Sequence, residues 1–207
     1  MTVHAVLWDF GGVILESPFD AFAAYERANG LPVGLVRRLN STNPDGNAWA
    51  RLERAEVDVE GFRTLFEAEA AAVGHRIDAG AVLAGLSGRV RPAMVEALRR
   101  CSERLPTGCI TNNFVGFGED RGEEVGAIFE LFHVVIESSK VGLRKPDPRI
   151  YKLACDALGV APEETAFLDD LGINLKPARA LGMTTIKVGD PTVALAELQA
   201  AVGFDLS

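Results

Sequence analysis

Residues 3–13 read VHAVLWDFGGV, an apolar run that ends in an aspartate, a phenylalanine and two glycines. An apolar run broken by paired glycines predicts a buried parallel strand, Val3–Asp9, followed by a tight turn. In an open α/β sheet, ligands bind at the carboxyl ends of the strands, so Asp9 is placed to act as a nucleophile or a metal ligand. The alternative is that Asp9 only starts the turn or caps the next helix.

Four further short strands alternate with helices along the rest of the chain. They are predicted at residues 107–110, 132–136, 165–168 and 184–188. This alternation predicts an α/β fold with a doubly wound, mainly parallel sheet. Residues from about Pro18 to Leu86 show helical patterns without a convincing strand, and we expect them to form an insert above the strand ends.

Composition and charge limit the function of this 207-residue chain. With 48% hydrophobic residues and no low-complexity tract, it is expected to fold as an ordered globule. The longest apolar runs are too short to span a bilayer, and we see no secretory signal. A net charge of −8 argues against a nucleic-acid partner, which usually meets a basic face. It does not argue against a small anionic substrate, since a bound divalent ion and one lysine can reverse the local field.

The three cysteines bear on the compartment in which the protein works. Cys101, Cys109 and Cys155 are odd in number and show no CxxC spacing. This pattern favours packing cysteines in a reduced, cytoplasmic setting over disulfides or a zinc site.

Polar side chains occur where the predicted strands end. They are Asp9 after the first strand, Thr111 and Asn112 after the second, Lys145 after the third, and Asp169 and Asp170 after the fourth. Because the carboxyl ends of parallel strands share one edge of a sheet, we expect these residues to converge. Taken singly, each has a simpler interpretation: Lys145 as a solvated lysine, and the paired aspartates as a helix cap.

Together, these side chains suit phosphoryl transfer. A carboxylate such as Asp9 can attack phosphorus in line and form an acyl phosphate. Three adjacent carboxylates would repel one another and resist ionisation without a cation, so the cluster implies a hard divalent ion with oxygen ligands. Lys145 can neutralise the nucleophile and the phosphoryl oxygens, and Thr111 can donate a hydrogen bond to one of those oxygens.

The chain resembles the haloacid dehalogenase (HAD) superfamily of Mg-dependent phosphotransferases. The four motifs of that superfamily appear in order at residues 9–13, at 111–112, at Lys145 within 142–151, and at 167–170 with Asn174. The last two are similar to the N-terminal phosphatase domain of soluble epoxide hydrolase and its bacterial relatives. The resemblance implies a catalytic core of residues 1–16 and 89–207 and a helical cap of residues 17–88. Since the chain ends where the epoxide hydrolase domain of two-domain relatives would begin, we expect no epoxide chemistry.

The resemblance also implies residue roles. Asp9 would be the nucleophile, and Mg²⁺ would be held by Asp9, the backbone carbonyl of Gly11 and Asp170. Asp169 would lie behind these ligands, oriented with help from Asn174. Thr111, the backbone at Asn112, and Lys145 would bind the phosphoryl group of a small phosphorylated metabolite. Whether the protein is a monomer or a homodimer stays open.

One position departs from the family pattern. Phosphatases of the family usually carry a second aspartate two residues after the nucleophile, as acid and base, and here that residue is Gly11. General acid–base assistance is worth about 10²–10⁴-fold in rate. Three interpretations follow: a phosphatase that works without this acid, a 2-haloacid dehalogenase, or a non-catalytic regulatory protein that binds Mg²⁺ and phosphate. Dehalogenases also lack the second aspartate, but they use no metal, and the intact Asp169-Asp170 pair argues against that chemistry.

The sequence offers only candidates for substrate choice and for a replacement acid. Glu16 and Asp20 follow the turn and could replace the missing aspartate, although a surface position is the simpler interpretation for both. In the predicted cap, Trp49, Arg51 and Arg54 are candidate specificity residues; a core position for the tryptophan and solvated arginines are the alternatives.

Overall fold

A computed structural model describes residues 3–86, 88–116 and 122–206. Its centre is a five-stranded, all-parallel sheet with the strand order β3-β2-β1-β4-β5. The strands are β1 (Ala5–Trp8), β2 (Thr107–Thr111), β3 (Val134–Glu137), β4 (Thr165–Asp169) and β5 (Thr184–Lys187). The register pairs Trp8 with Leu168, so the residues that follow them, Asp9 and Asp169, lie side by side at the carboxyl edge.

Helices cover both faces of the sheet, which confirms the doubly wound α/β prediction. The helices that follow the cap are α6 (Pro92–Ser102), α7 (Gly122–Phe129), α8 (Ser138–Val141), α9 (Pro148–Leu158), α10 (Gly172–Ala180) and α11 (Pro191–Val202). On one face, α6, α7 and α11 pack on alternate strand residues such as Trp8 and Leu168. On the other face, α9 and α10 pack on Leu7 and Phe167. Burial on both faces explains why the first strand is continuously apolar.

In the described residues between Pro18 and Leu86, five α-helices form a separate apolar cluster, and we call this segment the cap. They are α1 (Pro18–Ala28), α2 (Leu35–Ser41), α3 (Ala48–Glu53), α4 (Val59–Ala72) and α5 (Ala79–Ala84). Their apolar faces meet in one cluster centred on Trp49, whose ring packs edge-on against Phe62 and Phe66. Trp49 is therefore a core residue of the cap. Among the described residues, no helix is long and apolar enough to cross a membrane.

Two chain segments join the cap to the core, and they run beside each other. Leu15 and Val90 form an isolated antiparallel bridge, and the Glu16 N–H donates to the Arg89 carbonyl at 2.8 Å. A Cβ on Gly88 would lie 2.6 Å from the Glu16 carbonyl oxygen, so this approach requires glycine. The two connections are thus tied together at the point where the chain leaves the core.

The predicted strand boundaries differ from the observed ones by at most two residues. The third strand begins at Val134 and not at Phe132, because the Phe132 N–H closes the turn after α7 by bonding to the Phe129 carbonyl. The sequence pattern predicts that helices α9 and α11 begin at Arg149 and Ala194. They begin at Pro148 and Pro191, each capped by the preceding aspartate. Helix α7 was not predicted.

Candidate active site

Asp9 directly follows β1 and is buried, with 7% of its surface exposed. Its Oδ1 oxygen accepts two hydrogen bonds, from the Phe10 N–H at 2.7 Å and from the Lys145 Nζ at 2.7 Å. Its other oxygen, Oδ2, has no donor among the described residues. One oxygen is therefore fixed by the protein, and the second is left available for chemistry.

The two glycines after Phe10 have different conformations and different surroundings. Gly12 has φ +77°, and a Cβ at this position would lie 2.3 Å from Asp170 Oδ2. Its carbonyl accepts a hydrogen bond from Arg91 Nη1 at 2.7 Å. Gly11 has φ −71° and ψ 132°, which any residue adopts, and no described atom lies within 4 Å of a Cβ built there. Only Gly12 is required by geometry, whereas Gly11 leaves open space beside the nucleophile.

Lys145 is the central cation of the site, with only 1% of its surface exposed. Its Nζ contacts Asp9 Oδ1 at 2.7 Å and Asp169 Oδ2 at 2.8 Å. These two carboxylates outweigh the effect of burial and raise the pKa of Lys145 above its ordinary value, so the side chain is a fixed positive charge.

The backbone of Lys145 is held by Asn112. The Lys145 N–H donates to Asn112 Oδ1 at 2.8 Å, and Asn112 Nδ2 donates to the Lys145 carbonyl at 3.0 Å. The sequence analysis predicts a role only for the backbone of Asn112, which would bind the phosphoryl group. Its side chain orients the lysine, and no pattern in the sequence indicated this contact.

The adjacent aspartates of the fourth motif differ in their hydrogen bonding. Asp169 is fully buried, and both of its oxygens accept from the protein. Oδ1 accepts from the Leu171 N–H at 2.8 Å and Asn174 Nδ2 at 3.1 Å, and Oδ2 accepts from Lys145 Nζ at 2.8 Å and Asn174 Nδ2 at 3.0 Å. Asp170 accepts a single side-chain hydrogen bond, from Ser17 Oγ at 3.3 Å. Asp169 is thus saturated by protein donors, whereas Asp170 keeps free ligand capacity.

The carboxylates of Asp9, Asp169 and Asp170 each offer an oxygen within 4.8 Å of the other two. Burial raises the pKa of Asp9 well above its usual range, and the two neighbouring carboxylates raise it further against the effect of Lys145. Burial and Asp169 raise the pKa of Asp170 to about 6. Lys145 supplies one positive charge against three carboxylates, so a divalent cation would neutralise the remaining two. The donor set is all oxygen and fits Mg²⁺.

The other sequence candidates lie in different surroundings. Thr111 is the last residue of β2 and is buried at the same edge. Glu16 and Asp20 are exposed. Arg54 pairs with Glu56 inside the cap, its Nε lying 2.6 Å from Oε1 of that residue. The sequence did not indicate a role for Ser17. This residue directly precedes α1, and its hydroxyl contacts Asp170.

The sequence of this chain matches known proteins. Residues 3–182 match the family described as haloacid dehalogenase-like hydrolase. The chain belongs to this family. It is 34% identical to mouse acyl-CoA dehydrogenase family member 10 and 32% identical to pig bifunctional epoxide hydrolase 2, over 98% and 100% of its own length. It spans only 19% and 40% of those two longer proteins. These matches confirm the predicted superfamily and its epoxide hydrolase relatives.

A bacterial relative of similar size is also found. The present chain is 31% identical to phosphatase MT3486 of Mycobacterium tuberculosis (strain CDC 1551 / Oshkosh). The match covers 88% of this chain and 86% of that protein. The protein is therefore a hydrolase of a family that includes phosphatases.

Solved structures share the fold. A HAD family enzyme from Bacteroides thetaiotaomicron, in complex with magnesium and inorganic phosphate, superposes with a TM-score of 0.62 at 19% identity. The match covers 91% of this chain and 96% of that one. L-2-haloacid dehalogenase from Xanthobacter autotrophicus gives 0.63 at 18% identity, over 99% and 85% of the two chains. At these identities the likeness shows the fold alone.

Proposed function

We propose that the protein is an Mg²⁺-dependent phosphatase that hydrolyses small phosphate esters through a phosphorylated Asp9. One observation carries this proposal: Lys145 Nζ bridges Asp9 and Asp169 at 2.7 and 2.8 Å, beside an Asp170 that accepts one side-chain hydrogen bond from the described residues. This arrangement provides a held nucleophile, a fixed cation and an oxygen-rich metal position within one buried cluster. The phosphatase relative of similar length supports the same reaction class.

In the proposed first step, Oδ2 of Asp9 attacks phosphorus and an acyl phosphate forms. The bond between phosphorus and the ester oxygen breaks, and that oxygen takes a proton from water. Water then attacks the same phosphorus, which releases inorganic phosphate and regenerates the Asp9 carboxylate. Lys145 favours the anionic form of Asp9 and orients it, and its charge also favours the incoming phosphoryl group. Thr111 and the backbone at Asn112 would donate hydrogen bonds to phosphoryl oxygens.

Asp9, Asp170 and the carbonyl of Gly11 would hold Mg²⁺, with Asp169 and Asn174 supporting them from behind. The ion supplies charge neutralisation for the phosphoryl oxygens when bound. The saturation of Asp169 by Lys145, Asn174 and the Leu171 N–H supports its role as an orienting group, and the single bond to Asp170 supports ligation.

The domain division and the cellular setting belong to the same proposal. A core of residues 1–16 and 89–207 and a cap of residues 17–88 are supported by the separate apolar cluster of the cap. The three cysteines are free and buried, which supports a cytoplasmic location.

A test of the mechanism is the release of phosphate from a panel of esters ranked by leaving-group acidity, with Mg²⁺ or with EDTA. Asp9→Asn should abolish release, by about 10⁴-fold or more, because the nucleophile is removed. Asp156→Asn, at an exposed aspartate in α9, serves as the matched control and should keep full activity. Full activity of Asp9→Asn would rule out the covalent route.

The open space at Gly11 allows a direct test of the missing acid. Gly11→Asp should raise turnover of esters with poor leaving groups by about 10²-fold, since a carboxyl group then lies beside the nucleophile. Gly11→Asn, which has the same size and no acid, should not. The steep dependence of the wild-type rate on leaving-group acidity should flatten in Gly11→Asp only. Equal rates for both variants would show that no acid is missing.

The second candidate is a 2-haloacid dehalogenase, which the absent side chain at Gly11 favours. That reaction attacks carbon and needs no metal, so it gives no role to the free oxygens of Asp170. Chloride release from a 2-haloacid in the presence of EDTA would establish it and would replace the phosphatase proposal.

A further inference from the structure

Glu53, the last residue of α3, reaches from the cap into the core. Its Oε2 oxygen accepts two hydrogen bonds from core residues, from Arg144 Nε at 2.6 Å and from Asn112 Nδ2 at 3.1 Å. The side chains of Glu53 and Arg144 are only 14% and 19% exposed, so this contact is shielded from solvent. A charge-assisted contact in such a place is stronger than a surface ion pair.

Arg144 makes a second contact with the cap. Its Nη1 donates to the Pro44 carbonyl at 2.9 Å, in the loop between α2 and α3. The neighbouring carbonyl, of Asp45, accepts from Arg54 Nη2 at 2.9 Å within the cap. Arg144 thus contacts the cap at two points, and the bond from Asn112 to Glu53 is a third polar contact between cap and core.

That bond reinforces the orientation of the Asn112 amide. The Lys145 N–H needs an acceptor and the Lys145 carbonyl needs a donor, and Asn112 supplies both in its observed orientation. A flipped amide would turn its oxygen toward the Glu53 carboxylate and its NH₂ group toward the Lys145 N–H, so every contact would become repulsive. Glu53 thus favours the one orientation of Asn112 that holds Lys145.

We propose that Glu53 is a positioning residue, carried by the cap, that orders Lys145 through Asn112 when the cap lies against the core. The inference rests on the proposed function, because Lys145 is the residue that orients Asp9. It gives cap closure a direct chemical consequence: the cation beside the nucleophile is fully held only when Glu53 is in contact with Asn112.

The first test compares Glu53→Ala with Glu56→Ala. Glu56 is three residues away and contacts an arginine at the same 2.6 Å distance, but its partner Arg54 belongs to the cap. Glu53→Ala should lower kcat by about 10- to 100-fold, since a small displacement of a catalytic group costs that much. It should also speed hydrogen exchange of the Lys145 amide at least about 10-fold. Glu56→Ala should change neither.

Three further comparisons separate positioning from docking. Glu53→Gln keeps an acceptor oxygen for Asn112, so it should restore slow exchange at Lys145 and most of kcat. Within Asn112→Ala, adding Glu53→Ala should have no further effect on kcat, because the route from Glu53 to Lys145 is already cut. Arg144→Met should raise KM more than it lowers kcat.

The inference is overturned if Glu53→Ala changes KM alone and leaves the exchange of the Lys145 amide at the wild-type rate. Additive effects of Glu53→Ala and Asn112→Ala on kcat would also overturn it. If the wild type releases phosphate from no ester, the proposed function fails, but the exchange measurement still tests the link from Glu53 to Lys145.

Discussion

The carboxyl edge of the sheet and the cap are stabilised by different kinds of contact. At the edge, buried charges hold each other: Asp169 has no exposed surface and uses both oxygens, and Lys145 joins it to Asp9. In the cap, aromatic rings such as Trp49 and Phe62 pack around an apolar centre that carries no part of the proposed chemistry. The reacting groups are therefore held at the sheet edge by buried charges, and polar contacts such as that between Glu53 and Arg144 link the cap to this edge.

Lys145 holds the charges at the sheet edge, whereas its neighbour Arg144 contacts the cap. The same substitution at both positions should therefore show the largest difference between the edge and the cap interface. Lys145→Met leaves Asp9 and Asp169 buried without a counter-charge, and we expect it to lower the free energy of unfolding by about 3–5 kcal/mol. Arg144→Met removes contacts with the cap at a shielded surface and should cost about 1–2 kcal/mol. Urea denaturation of both variants measures the difference.

Phosphate release should follow the same order, with no detectable activity for Lys145→Met and reduced activity for Arg144→Met. The Lys145→Met variant must be folded for its loss of activity to be informative. Binding of Mg²⁺ to this variant provides that control. If the two variants lose equal stability, the ion pairs of Lys145 with Asp9 and Asp169 do not stabilise the edge more than Arg144 stabilises the cap interface.

Alanine substitutions at the two glycines after Phe10 compare a crowded position with an open one at the sheet edge. Gly12→Ala places a Cβ 2.3 Å from Asp170 Oδ2 at a φ of +77°, and we expect it to cost about 2–4 kcal/mol. Gly11→Ala meets open space at an ordinary φ, so stability should be unchanged or raised by up to about 1 kcal/mol. Thermal unfolding of the two single variants is the measurement, and similar losses in both would contradict the assigned turn geometry.

The sequence predicted the edge better than the cap for a physical reason. Parallel strands leave continuous apolar runs, and each strand ends at a polar residue, so Asp9, Thr111 and Asp169 could be assigned to one edge before their contacts were known. The register that sets Asp9 beside Asp169 follows from the same pairing. The metal ligands and the role of each carboxylate came from resemblance and stay proposals.

The contacts that join the cap to the site could not be predicted. Glu53 and Arg144 are 91 residues apart, and each looks like an ordinary charged residue on an amphipathic segment. Nothing in the chain marks which side chain of a helical insert will face the core, because that depends on packing between distant elements. The orientation of the Asn112 amide is likewise set by three contacts at once.

The smallest expected effect concerns Asp170, the member of the aspartate pair that the protein leaves largely unbonded. Its pKa is raised from 3.8 to about 6, so the native state holds a proton that the unfolded chain loses between those values. Without metal, stability should therefore fall as pH rises through this window, and the full cost should be present above about pH 6. Asp170→Asn removes this charge, and in EDTA at pH 7.5 its Tm should exceed that of the wild type by about 2–4 °C.

Addition of Mg²⁺ should reverse that order. The wild type binds the ion with its charged carboxylate and gains stability in proportion to occupancy, whereas Asp170→Asn should show almost no increase in Tm. Asp147→Asn is a suitable control, since that carboxylate caps α9 away from the cluster and pairs with Arg149. If Mg²⁺ raises the Tm of Asp170→Asn as much as that of the wild type, the ion is held elsewhere, and the free oxygens of Asp170 require another explanation.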